Sequence, residues 1–170
     1  MNYSAKFGSV AGLLVAAAAA HAGLGDILIS KGGNVTVTIV PFTGGPGYTN
    51  AMAVEAPTYT YVGTNRDFGN SVDLGPITAG EEIVLSLTNP DNHKFVTASA
   101  SANFDNVIHA NVTKSNSGTY RVDFEDLTGG GDFNYGDGSF EVTGVEAVPE
   151  PATMAALACG LVAVARRRKK

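Results

Sequence analysis

Tryptophan is absent from the 170 residues, and cysteine occurs once, at Cys159. One cysteine excludes both a disulfide framework and a multi-cysteine zinc site within the chain. Charged residues are scarce at 16%, yet the hydrophobic share of 44% is too high for a disordered protein. Glycine is plentiful at 21 but follows no three-residue period, which excludes a collagen-like chain. Basic residues are almost missing from the middle: six of the eleven are Lys6 and the run Arg166 to Lys170, whereas all sixteen acids lie between Asp26 and Glu150. No basic patch remains there to neutralise phosphates, so the composition excludes a nucleic-acid binder.

The two ends read as addresses. Lys6 precedes an Ala-rich apolar run from Phe7 to Ala20, and Ala20-His21-Ala22 is a small-x-small cleavage site, so residues 1–22 form a secretory signal peptide with signal peptidase cutting after Ala22. At the other end Pro149 and Pro151 bracket Glu150 and bias that stretch to an extended conformation. Residues 152–165 are apolar apart from Thr153, and five cations, 166–170, follow. A helix over 152–165 is only about 21 Å long, short of a roughly 30 Å bilayer core. It spans as a short transmembrane helix only with bilayer thinning or snorkelling of the arginines, its cationic end staying on the cytoplasmic side.

The tail from Val148-Pro149-Glu150-Pro151 through Arg166-Arg167-Arg168 resembles the PEP-CTERM sorting signal of bacterial exported proteins. The same segment is sometimes labelled a C-terminal domain of ice-binding proteins. The resemblance implies recognition by an exosortase, a membrane protease-transpeptidase that removes the tail. It further implies transient residence in the inner membrane and delivery of the body to the cell surface or an exopolysaccharide matrix.

Between the ends, residues 23–147 carry fifteen carboxylates against five cations, a formal charge of −10. The pattern there is period two. Val35, Val37 and Ile39 alternate with threonines; Ile83, Leu85 and Leu87 with Ser86 and Thr88; Val122 and Phe124 with Arg121 and Asp123; Phe140 and Val142 with Glu141 and Thr143. Such alternation marks half-buried strands and nominates these ten apolar residues as the core. Tyr59 and Tyr61 alternate with Thr58 and Thr60 and are expected to pack on one sheet face. Further strands are expected at 26–30, 94–100 and 104–112, the last placing His109 on a strand face. Gly75-Pro76 and Asn89-Pro90 read as separators. About eight short strands with polar turns predict an antiparallel β-sandwich or jelly-roll-like body.

The densest polar stretch is 123–137, with five carboxylates and Asn134 around Gly129-Gly130-Gly131. Calcium takes six to eight oxygens, which Asp126, Asp132, Asn134 and Asp137 would supply from a flexible loop; the alternative is a solvated hairpin turn rich in Asp and Asn. An EF-hand is excluded, because the twelfth position from Asp132 is Thr143. The stretch resembles a motif of bacterial surface β-domains, F-E-D-L-x-G-G-G-D-x-D-Y-N-D, with Asn134 in place of an Asp and Gly136 in place of an Asn. No G-x-S-x-G elbow occurs, and His93 and His109 have no carboxylate at metal-ligand spacing. Thr36 and Thr38 make too short a ladder for an ice-binding face. Tyr48, Tyr59, Tyr61, Phe133 and Tyr135 are candidates for stacking on sugars, without the tryptophan usual there.

These readings converge on an exported, non-enzymatic surface or matrix protein, with calcium as the one candidate cofactor and exopolysaccharide as a candidate partner. The alternative is a small carbohydrate-binding or carbohydrate-active module.

Overall fold

Alternation of Val35, Val37 and Ile39 with threonines sends three apolar side chains to one face of a single strand, and each is fully buried. This strand, β2 (Gly33–Val40), lies in a computed structural model that describes residues 23–149 except Pro46 and Asn116. The signal segment with Ala20 and Ala22, Glu150, Pro151, the apolar stretch 152–165 and the basic tail with Arg166, Arg167 and Arg168 lie outside the described residues.

The remaining strands are β1 (Ile27–Ser30), β3 (Ala51–Ala56), β4 (Thr60–Thr64), β5 (Ser71–Ile77), β6 (Glu82–Thr88) and β7 (Lys94–Val96). They are followed by β8 (Ala110–Lys114), β9 (Tyr120–Phe124), β10 (Gly138–Thr143) and β11 (Val145–Val148). One sheet runs β11-β1-β6-β3-β4, with β7 also paired to β6; the other runs β5-β2-β10-β9-β8. All pairings are antiparallel. The inner faces of both sheets contribute to one core that includes Leu28, Ile39, Met52, Leu85, Phe95, Phe124 and Phe140. All ten apolar residues expected in the core are fully buried. Burial of each such leucine or phenylalanine stabilises the fold by roughly 1.5–3 kcal/mol.

The all-β expectation is met as two packed antiparallel sheets, and the differences are local. Eleven strands are present among the described residues rather than eight. Gly75-Pro76 does not separate strands: it lies inside β5, an edge of its sheet, where a residue without an N–H is tolerated. The expected strand 104–112 begins only at Ala110, because Asn106 adopts a left-handed φ of 58° and turns the chain. His109 therefore sits just before β8, wholly buried, with its ring stacked 4.0 Å from that of Phe95. The strand expected over 94–100 ends at Val96, and a short 3-10 turn follows at Ala100–Ala102. Tyr59 and Tyr61 do not pack inward: they are 60% and 53% exposed, beside the edge strand β4, whose outer face is open to solvent. The body extends one residue into the expected tail, since Val148 of β11 pairs with Ile27.

Candidate functional site

The loop 125–137 joins β9 to β10, two neighbouring strands inside the five-stranded sheet, and therefore emerges at one end of the sandwich. Three asparagines of the opposite sheet meet it there. Asn50 precedes β3, Asn65 follows β4, Asn89 follows β6, and all three are buried. Asn65 Nδ2 donates to the carbonyl of Asp137 at 2.7 Å, and Asn89 Nδ2 to the carbonyl of Asp126 at 2.9 Å. Asn50 Nδ2 donates to Asp126 Oδ2 at 2.7 Å, while the Asn50 amide donates to Asn65 Oδ1 at 3.0 Å. Both ends of the loop are thus tied to the other sheet by buried amides, which satisfy backbone carbonyls that no ladder reaches.

Within this frame the carboxylates of Glu125, Asp126 and Asp137 converge, with one oxygen from each lying within 4.8 Å of the others. Glu125 is 1% exposed and Asp126 3%. Asp137 Oδ2 accepts from the Asp126 amide at 3.2 Å, and Glu125 Oε1 from the Leu127 amide at 3.2 Å. The close approach of residue 131 requires glycine: a Cβ there would run into Glu125 Oε1 and the Leu127 side chain, and its φ of +49° is left-handed.

Crowded acids perturb one another. Burial pushes the Glu125 carboxyl up from its ordinary 4.5 to about 7, helped by the negative charges of Asp137 and Asp132, while the Leu127 amide pulls the other way. Burial and the Asp126 and Asp132 charges raise Asp137. Burial, then the Glu125 charge, raises the Tyr135 phenol.

Of the four residues nominated from sequence, Asp126 and Asp137 are in this cluster. Asp132 is exposed but acts on both Glu125 and Asp137 through its charge. Asn134 is exposed and turned to a local role: its Nδ2 donates to Asp132 Oδ2 at 2.8 Å and its Oδ1 accepts from the Gly136 amide at 2.7 Å. Sequence reasoning missed Glu125 as a site residue and the whole asparagine shell. Glu125 lies one residue past the alternating run of β9, a signal that was available; Asn50, 76 positions from Asp126, had none.

The second layer involves His109. Its Nδ1 meets the Glu125 carbonyl at 3.0 Å and its Nε2 meets Asp105 Oδ2 at 3.0 Å. Burial raises Asp105, but the Gly129 amide, His109 and the Val107 amide together hold it below its ordinary value. His93, expected in a turn, lies beside Thr128, with Nδ1 3.3 Å from its hydroxyl. The two histidines are separated by the Phe104 and Phe95 rings and do not form a metal pair.

A cavity of about 170 Å³ lined by Val40, Ser115, Thr119, Arg121 and Glu141 opens elsewhere. Its polar groups are already engaged, Glu141 with Thr119 at 2.6 Å and Arg121 with Asp123 at 2.7 Å.

The polypeptide leaves this sandwich through β11, and its last strand residues begin the one recognisable segment. Residues 147–169 match the family described as PEP-CTERM protein-sorting motif. Those residues carry a PEP-CTERM-type motif. Neither the acidic-loop motif nor the ice-binding label is part of that match, and no curated protein and no solved structure matches the chain. The PEP-CTERM signal indicates an exported protein, sorted by exosortase in transit through the membrane. Its match starts at Ala147, inside β11, so folded body and sorting signal adjoin with no linker between them. No helix among the described residues is long and apolar enough to cross a membrane.

Proposed function

We propose that the protein is a non-enzymatic β-sandwich of the cell surface or exopolysaccharide matrix, delivered by removal of residues 1–22 and of the PEP-CTERM tail. The observation that carries this reading is the sorting motif at residues 147–169, attached directly to the last strand of a sandwich whose core is closed by β11. A structural or adhesive role suits the site chemistry, because Asn50, Asn65 and Asn89 tie the acidic loop to the opposite sheet.

A second reading, carbohydrate binding, is favoured by one feature. Tyr59 and Tyr61 present exposed rings beside an open sheet edge, with Lys94 Nζ 5.9 Å from the Tyr59 ring and 2.9 Å from Glu55. Aromatic faces flanked by charged hydrogen-bonding groups suit sugar rings.

Intact-mass analysis of surface and matrix material from an exosortase-positive host tests the first reading. The expected species begins at Gly23 and lacks Arg166 to Lys170. Deletion of the exosortase should leave the tail-bearing form in the membrane fraction. A main surface species that keeps the five terminal cations would overturn the proposal. Pull-down on isolated exopolysaccharide, compared between the native protein and a Tyr59→Ala/Tyr61→Ala pair, tests the second.

A further inference from the structure

Two buried side-chain oxygens among the described residues have no hydrogen-bond donor: Glu125 Oε2, in the acidic cluster, and Asn50 Oδ1, on the amide whose Nδ2 donates to Asp126. A buried acceptor left without a partner costs on the order of 1–3 kcal/mol, more when charged. Rotating the Asn50 amide gives no relief. Its Nδ2 already donates to a carboxylate, Asp126 Oδ2, which has nothing to donate back, so the exchange would set oxygen against oxygen. A protonated Glu125 can donate to Asp132 or Asp137, but once Glu125 is ionised neither relieves it, since ionised carboxylates are acceptors only. A cation would serve the ionised Glu125 and several neighbouring oxygens at once.

The geometry points to a calcium site formed by Glu125, Asp126 and Asp137, with the Asn50 amide oxygen as the neutral ligand and Asp132 at its solvent side. Two oxygens bound to one calcium at 2.3–2.6 Å lie at most about 4.6–5.2 Å apart. The three carboxylate oxygens, all within 4.8 Å of one another, satisfy that bound. Three or four acidic ligands on an irregular loop suit the large, flexible shell of calcium better than magnesium, which demands a tight octahedron and keeps its waters. An ion here would join the β9–β10 loop to the residue that opens β3, and so clamp one sheet to the other at the end where the asparagines already bind. The binding deepens the surface-protein reading but does not depend on it, because a chain that was never exported would still take up the ion in vitro.

Calorimetry and thermal melting on the full chain, purified in detergent and stripped of metal, test the assignment with calcium chloride as the probe. Calcium should bind with a Kd in the range of about 10⁻⁴–10⁻³ M typical of extracellular sites, and should raise the melting temperature. Glu125→Gln and Asp137→Asn should each weaken calcium at least tenfold. Glu125→Gln, which keeps the shape and removes one buried charge, should at the same time melt higher than the native chain in metal-free buffer at pH 8. Asp91→Asn, at an exposed turn, should leave calcium affinity and its thermal shift unchanged. Absence of binding up to about 10 mM calcium, magnesium binding as tight as calcium, or undiminished affinity in Glu125→Gln would each overturn the site.

Discussion

Glu125 concentrates the electrostatic tension of the molecule. Its carboxyl is raised to about 7 in the folded protein, because burial and the charges of Asp137 and Asp132 disfavour ionisation. A group with a raised folded pKa binds its proton more tightly when folded, so its contribution to stability is complete below pH 4.5 and is lost as pH rises through 7. Asp137 is raised as well and acts in the same direction. Asp105 acts oppositely: its depressed pKa gives stability above its unfolded value that is lost at more acidic pH. The groups facing Glu125 are acidic or neutral, with His109 reaching only its backbone carbonyl. In metal-free buffer, denaturant titration should therefore show stability falling between pH 5 and pH 8 by up to about 3 kcal/mol. Glu125→Gln should remove most of that slope. A native chain equally stable at both values would show that the Glu125 proton is not held by the fold.

At the scale of elements, the terminal strand carries the boundary between body and address. β11 buries Val145 fully and Ala147 to 3% exposure, and it pairs with β1 from Ile27 to Ser30. A chain ending after Pro149 keeps every residue of that ladder. A chain ending at Gly144 loses the ladder and opens the edge of β1 to solvent. Burial of one valine is worth roughly 1.5–3 kcal/mol, and the lost strand pairing adds to it, within a total stability of about 5–15 kcal/mol. Truncation after Pro149 should thus leave the melting temperature within a degree or two, whereas truncation after Gly144 should lower it by more than about 10 °C. Equal melting of the two would mean that β11 is dispensable. The same geometry restricts processing: a cut within β11 would sacrifice the fold it releases.

For the molecule as a whole, one apolar core between two sheets does the holding, while a formal body charge of −10 opposes compaction. Leu85, wholly buried in β6 between β3 on one side and β1 and β7 on the other, is central to that core. Leu85→Asp should abolish the strand circular dichroism signal, since it both removes the burial and places an unpaired charge in the interior. Tyr59→Asp, on an exposed position, should keep it. A folded Leu85→Asp protein would refute the arrangement of the sheets. Thr36, despite its outward place in the alternation, is a poor site for such a control: it lies opposite Asp73 across β2 and β5, where a second carboxylate would repel.

The local chemistry of the chain was enough to determine the sorting motif, the all-β class and the ten core residues. Each of these rests on short-range order: a period of two along one strand, four residues of a sorting motif. What tertiary structure decided is which distant groups meet. Pro76 read as a break because proline lacks a ladder donor, and only the edge position of β5 makes it harmless. Tyr59 and Tyr61 alternate like core residues, but alternation says only that they share a face, and packing of the sheets turned that face outward. The acids at 123–137 were visible as a cluster, yet spacing favoured Asp132 and Asn134, while burial selected Glu125. Asn50, Asn65 and Asn89 carry no local signal at all. They converge because the ends of β3, β4 and β6 fall at the same end of the sandwich as the β9–β10 loop, and chain crossing, not sequence proximity, brings a buried amide to a buried acid.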